Sequence, residues 1–173
     1  TEAMRDFNDK PCCELLDGPS FKNYCVHLNT EIFPFDNELI RQAVSFAIPY
    51  QDIIEVGVAN FGRQMVGPIP YGQFGHDDAL PQYRQDLNKA RELMKKAGYP
   101  NGFDDVLTFT YASENRIEKN FAPLIKEALA QIGIQINIRP MIWTAQWDFV
   151  KSGPQDAQHM AAVGDVVQAE VSP

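Results

Sequence analysis

The chain has 173 residues, 45% of them hydrophobic and 22% charged, with a formal net charge of -8, enough apolar material for one well-buried globular domain. With a pI near 4.8, it would on balance be repelled by a nucleic-acid backbone or an anionic membrane, which argues against nucleic acid as a partner. No apolar run approaches the ~20 residues of a bilayer-crossing helix, and the start Thr1-Glu2-Ala3-Met4-Arg5 has no hydrophobic signal core.

An opening on Thr1 rather than an initiator Met is expected of a processed protein or an excised piece. The first 28 residues read as a strand hairpin, with Pro11 to Leu16 and Phe21 to Leu28 flanking a turn at Asp17-Gly18-Pro19-Ser20. Counting opposite positions puts Cys12 across from Cys25, so a disulfide there and a set of half-buried thiols (Cys12, Cys13, Cys25) are both open. No Cys-x-x-Cys or His-x-x-x-His pair accompanies these sulfurs, so neither a metal nor a cofactor is expected.

Asp36 is the expected cap of a helix whose inward face is Leu39, Ile40, Ala43, Val44 and Ala47, ending near Pro49. A short helix from Gln51 to Val58 follows and breaks at Ala59-Asn60-Phe61-Gly62. From there to Gln85 neither a 2-residue nor a 3.6-residue period is sustained, which predicts a long loop. Asp86 caps the next helix, with Leu87, Ala90, Leu93, Met94 and Ala97 inward and Gly98 and Pro100 as its stop.

Leu107, Phe109 and Tyr111 alternate with Thr108 and Thr110 as a strand. Ser113 is the expected cap of a helix from Glu114 to Gln131 with Ile117, Phe121, Leu124, Ile125, Ala128 and Leu129 on one stripe. Gly133 closes it, and Ile134, Ile136 and Ile138 alternate in a second strand. Strand, helix and strand of this size predict a parallel βαβ unit, hence an α/β fold with a mixed sheet flanked by helices. Thr144 is the expected cap of a last helix carrying Trp147 and Val150, before an apolar run from Met160 to Val163.

Several stretches in this order resemble the second lobe of the peptide and nickel class of solute-binding proteins of ABC transporters. They are Leu28-Asn29-Thr30 with Phe33-Pro34-Phe35-Asp36, Ile40 to Ile48 (IRQAVSFAI), and Asn88 to Met94 (NKARELM) with Ala97-Gly98-Tyr99-Pro100-Asn101-Gly102. The run from Leu129 to Ile136 (LAQIGIQI) completes the series. The resemblance implies a two-lobe periplasmic-binding-protein-like fold that closes on a solute and presents it to a membrane permease. It makes residues 1–173 a single, incomplete second lobe, with 1–28 near the interlobe hinge and a first lobe elsewhere in the same full-length protein. The implied location is periplasmic or anchored at the extracytoplasmic surface.

By the same resemblance the strand from Ser20 to His27 borders the cleft, giving Ser20, Cys25 and His27 as candidate ligand contacts. Trp143 stands where peptide-binding relatives can place a groove aromatic. The acid that receives a peptide's amino terminus falls on Asp165 when counted forward from Gly153 and Asp156, whereas counting back from Pro173 gives Ala169. The Trp usual just before that acid is absent.

His76-Asp77-Asp78 reads as a solvated loop tip, His159 as an ordinary surface histidine, and Arg41 as the partner of a carboxylate. Trp143 and Trp147 read as core or lobe-surface packing ahead of ligand stacking. No Gly-x-Ser-x-Gly elbow, phosphate-cradling loop, dinucleotide fingerprint or His-Glu-x-x-His helix occurs, so no catalysis is expected. A hydrolase using Cys25 and His27, and a protein-interaction scaffold, are the alternatives. Ile69, Tyr71 and Phe74 are expected to form an exposed apolar patch.

Overall fold

The computed structural model describes residue 18, residues 21–151 and, as backbone, residues 159–166. In chain order the elements are β1 (Lys22–Leu28), α1 (Glu38–Ala47), α2 (Tyr50–Val58), α3 (Leu87–Lys96), β2 (Val106–Ala112), α4 (Arg116–Ala130), β3 (Gln135–Met141), α5 (Trp143–Lys151) and β4 (His159–Val166). The strands form one mixed sheet in the order β1-β4-β2-β3. Strands β2 and β3 are parallel, with Leu107 opposite Ile136 and Phe109 opposite Ile138, as the alternating sequence requires. Strand β4 runs parallel to β2, and β1 closes the edge antiparallel to β4.

Alternation divides the sheet into two faces. Leu107, Phe109 and Tyr111 are buried on the first, in one core with Phe121, Ile125 and Leu129 of α4. Tyr24, Val26 and Leu28 of β1 pack against the same core, and the Tyr24 ring meets Phe121 edge-on at 6.2 Å. Helices α1 and α3 add Ile40, Ala43, Val44, Ala47, Ala90, Leu93 and Met94. Each fully buried Val, Leu, Ile, Phe or Met side chain here contributes roughly 1.5–3 kcal/mol. On the opposite face Thr110 is also fully buried, because Gln146 of α5 lies over it, Nε2 to Oγ1 at 3.4 Å. Helices on both faces make β2-α4-β3 and β3-α5-β4 two parallel crossovers.

Three helix caps differ from expectation. Asn37, not Asp36, caps α1, accepting from the Leu39 N–H at 2.9 Å. Asn115, not Ser113, caps α4 by accepting from the N–H groups of Ile117 and Glu118. Ser113 instead donates its own N–H to Met141 O, tying the ends of β2 and β3. Thr144 lies inside α5, and the acceptor at that helix start is Glu114. Arg41 donates to the carbonyls of Phe35 (2.7 Å) and Asp36 (3.1 Å) rather than to a carboxylate.

The Asp86 cap holds as read, its carboxylate accepting from the Lys89 N–H at 2.8 Å. Residues between α2 and α3 form neither helix nor strand. This loop returns to α1, where Gln85 Nε2 donates to Ala47 O and the Asp86 N–H to Phe46 O, satisfying carbonyls at the helix end. Tyr50 donates its phenol to Ser45 O at 2.8 Å, and burial pushes that phenol up to about 12. Phe74 is 94% and Tyr71 49% exposed, while Ile69 is half-buried.

Candidate functional site

Among the described residues, the second face of the sheet is covered by α5, over part of its width. Gln146 anchors that helix above β2, and Arg139 of β3 lies over the Phe149 ring at 5.5 Å. At about 100° per residue, Phe149 sits about 60° to one side of Gln146, and Trp143 and Trp147 share the other side. The indoles therefore stand on the flank of α5 away from β3, toward β4 and β1. They stack on each other at 5.5 Å with planes 20° apart and remain 39% and 40% exposed.

Beyond that flank the face continues onto β4 and β1. Cys25 and His27 are exposed on it, with Sγ 3.4 Å from Nε2. His27 is opposite Ala161, which is in turn opposite Thr110. Cys25 is opposite Val163, and Asn23 opposite Asp165, so each step along β1 approaches the carboxyl ends of the parallel strands. Asp165, opposite Asn23, lies four residues beyond Ala161, the last residue of β4 paired with β2. Asn23 Oδ1 is buried and accepts no hydrogen bond from the described residues, a costly state for a polar atom.

Register and helix phase thus place four of the five sequence candidates, Cys25, His27, Trp143 and the backbone position of Asp165, on one side of the sheet, a ledge whose Trp143 and Asp165 positions lie toward the carboxyl ends of the parallel strands. Ligands of open α/β sheets bind at such ends. Ser20, Cys12 and Cys13, with the first arm of the expected hairpin and the Cys12–Cys25 pairing, lie outside the described residues. The position of His159 is described as backbone, opposite Thr108. Among the described residues no group of three or more His, Cys, Asp or Glu side chains is placed to hold a metal, and no helix is long and apolar enough to cross a membrane.

Sequence reasoning missed Asn23 and Glu114. Asn23 becomes notable only through its register with Asp165. Glu114 Oε1 accepts from the Trp143 N–H at 2.8 Å, so the loop after β2 fixes the start of α5 and with it the first indole. That bond, and a second backbone bond, hold the Glu114 carboxyl below its usual value of 4.5. A lowered folded-state value means the cap contributes fully above 4.5 and is lost as pH falls through the lowered value. Acid titration is expected to change the indole fluorescence in that lower window, and Glu114→Gln is expected to abolish the step. A step that persists in the variant would assign it elsewhere.

Residues 3–172 match the family model described as bacterial extracellular solute-binding proteins, family 5, middle. Heme-binding protein A of Haemophilus influenzae is 31% identical over 157 residues, 90% of this chain and 29% of the relative. Glutathione-binding protein GsiB of Escherichia coli is 32% identical over 129 residues, 74% of this chain and 24% of the relative. Among solved structures, the ABC transporter-associated periplasmic binding protein DppA from Helicobacter pylori, in complex with the peptide STSA, has a TM-score of 0.80 at 31% identity over 96% of this chain and 31% of that one. A putative peptide binding protein AppA from Clostridium difficile has a TM-score of 0.82 at 23% identity, covering 95% and 34%, and speaks to the fold alone. The chain spans under a third of the length of these curated relatives.

Proposed function

Because the chain belongs to family 5 of the bacterial extracellular solute-binding proteins, we propose that it forms one wall of an interlobe cleft that binds a peptide-like or other polar small solute for an ABC importer. The rest of the reading follows from closure. A second lobe of the same full-length protein covers the ledge, excludes water and strengthens each polar contact beneath it. The closed form is recognised by a membrane permease, outside the cytoplasm. Residues 1–173 are then an incomplete second lobe, with 1–28 near the hinge.

The observation that carries this reading is the ledge itself, with the Trp143–Trp147 stack on the same side of the sheet as the exposed Cys25 and His27. In this assignment Trp143 supplies apolar contact, Ser20, Cys25 and His27 line the floor, and Asp165 receives a cationic group of the solute. A thiol beside an imidazole is also the start of a nucleophilic pair, but membership of a solute-binding family favours contact over catalysis. The ligands for which its relatives are named supply the probes: a short peptide, glutathione and heme.

Titration calorimetry on a two-lobe protein containing this chain tests the proposal. One of the three probes is expected to saturate a single site. Trp143→Ala is expected to weaken that binding at least about tenfold, or ~1.4 kcal/mol. The 173-residue chain alone is expected to bind far more weakly, since half of the enclosing surface is missing. Equal affinity for the chain and the two-lobe protein, or an unaltered constant in the Trp143 variant, would remove this site assignment.

A further inference from the structure

The loop between α2 and α3 is closed on itself by side-chain bonds to the backbone. Gln64 Nε2 donates to Tyr83 O at 2.6 Å, and Gln82 Nε2 to the carbonyls of Gln64 and Met65 at 3.2 Å. Inside this closure His76 holds a tighter turn. Its Nδ1 lies 2.7 Å from Ile69 O and its Nε2 3.0 Å from Asp78 Oδ1. The ring also meets Tyr71 edge-on at 5.6 Å, and its side chain is 11% exposed while that of Asp78 is 73% exposed.

Both ring nitrogens therefore face acceptors. A backbone carbonyl can only accept, so Nδ1 carries a hydrogen. An exposed aspartate is a carboxylate at neutral pH and also only accepts, so Nε2 must carry one too. A neutral imidazole has a single N–H, and the two bonds coexist only in the imidazolium.

We propose that His76 is a charged clasp that fixes the 69–78 turn and releases it when the ring loses its proton, a pH-sensitive device built into the loop. The Ile69 carbonyl, followed by the Asp78 side chain, raises the affinity of the ring for its proton above the ordinary value of 6.5. Arg63, whose guanidinium lies 3.2 Å from the Tyr71 ring centroid, opposes them as the facing positive charge. The neighbouring Asp77 is turned away, accepting from the Ala79 N–H at 2.9 Å. With the folded-state value raised, the clasp contributes fully below 6.5 and is lost as pH rises through the raised value. What it releases is a tip whose Phe74 is already 94% exposed, between Gly72 and Gly75, both at positive φ.

Two measurements on the 173-residue chain test the clasp. Long-range proton–nitrogen spectra at about pH 6 are expected to show hydrogens on both nitrogens of His76. Amide exchange of residues 69–80, corrected for intrinsic rates, is expected to become several-fold faster between about pH 6 and about pH 9. His76→Gln should remove that pH dependence, since its amide cannot be charged. Asp78→Asn should move the midpoint to lower pH while leaving the rest of the loop protected. A single protonated nitrogen at pH 6, a wild-type exchange profile equal to that of His76→Gln, or an unmoved midpoint in Asp78→Asn would overturn the proposal.

Discussion

Replacing Gly102 by alanine is expected to destabilise the chain by about 4 kcal/mol or more, a large fraction of the roughly 5–15 kcal/mol that holds a domain together. Two glycines cross here, one in the turn after α3 and one in the turn after α4. Both have positive φ, +84° at Gly102 and +80° at Gly133. A Cβ on Gly102 would be driven into the Gly133 carbonyl, and one on Gly133 would lie 2.6 Å from Asn101 O and from the Gly102 Cα. Backbone cannot swing aside as a side-chain tip does, so the turns must part. Parting them separates the ends of α3 and α4, which carry Met94 and Leu129 into the core.

Gly98→Ala is the internal control. Gly98 has a φ of +95° but nothing within 4 Å of a built Cβ, so only the left-handed backbone cost of roughly 1–2 kcal/mol applies. Urea unfolding of the two variants should separate the steric from the conformational cost. Equal losses in Gly98→Ala and Gly102→Ala would mean that the crossing is not tight.

The sequence read as A-G-Y-P-N-G identified a helix stop at Gly98, yet gave no sign that Gly102 meets Gly133. That contact joins turns 31 residues apart in sequence, and only the folded sheet creates it. The same division runs through the rest of the molecule. Leu107, Phe109 and Tyr111, or Ile136 and Ile138, carry their own alternation, so the βαβ unit and its buried faces were legible. The placement of β4 between β1 and β2 was not, because a short apolar run records that it is buried without recording its neighbours. The caps failed where two candidates stand close together. Asp36 precedes Asn37 and Ser113 precedes Asn115, and local chemistry suits either residue of each pair. At α5 the cap comes from Glu114, 29 residues upstream of Trp143. Of the candidate site, Trp143 and the β1 positions were named from resemblance. Their convergence with Asp165 on one face follows from register, and the unpaired Asn23 oxygen is visible only in three dimensions.

The second large effect is expected at Glu118, a carboxylate that is 1% exposed. Its Oε2 accepts from the Ala112 N–H at 2.8 Å and its Oε1 from Asn115 Nδ2 at 2.6 Å. One carboxylate thus joins the last residue of β2 to the cap of α4, at a helix start where negative charge is favoured. Glu118→Ala leaves the Ala112 N–H without this acceptor inside the protein and opens space behind it, for a loss of about 3 kcal/mol. Glu118→Gln preserves shape but has only one oxygen for two donors, so its amide N–H₂ opposes either Ala112 or Asn115; a loss of about 2 kcal/mol is expected. Residues 113 and 114 continue directly from this joint, and Glu114 positions Trp143, so the disturbance should reach the ledge. In Glu118→Gln the indole fluorescence should shift in the folded protein, and solute binding should weaken together with stability. A variant with lowered stability but unchanged fluorescence and affinity would show that the joint supports the core alone. One that unfolds at the wild-type urea midpoint would show that the carboxylate is not the tie between β2 and α4.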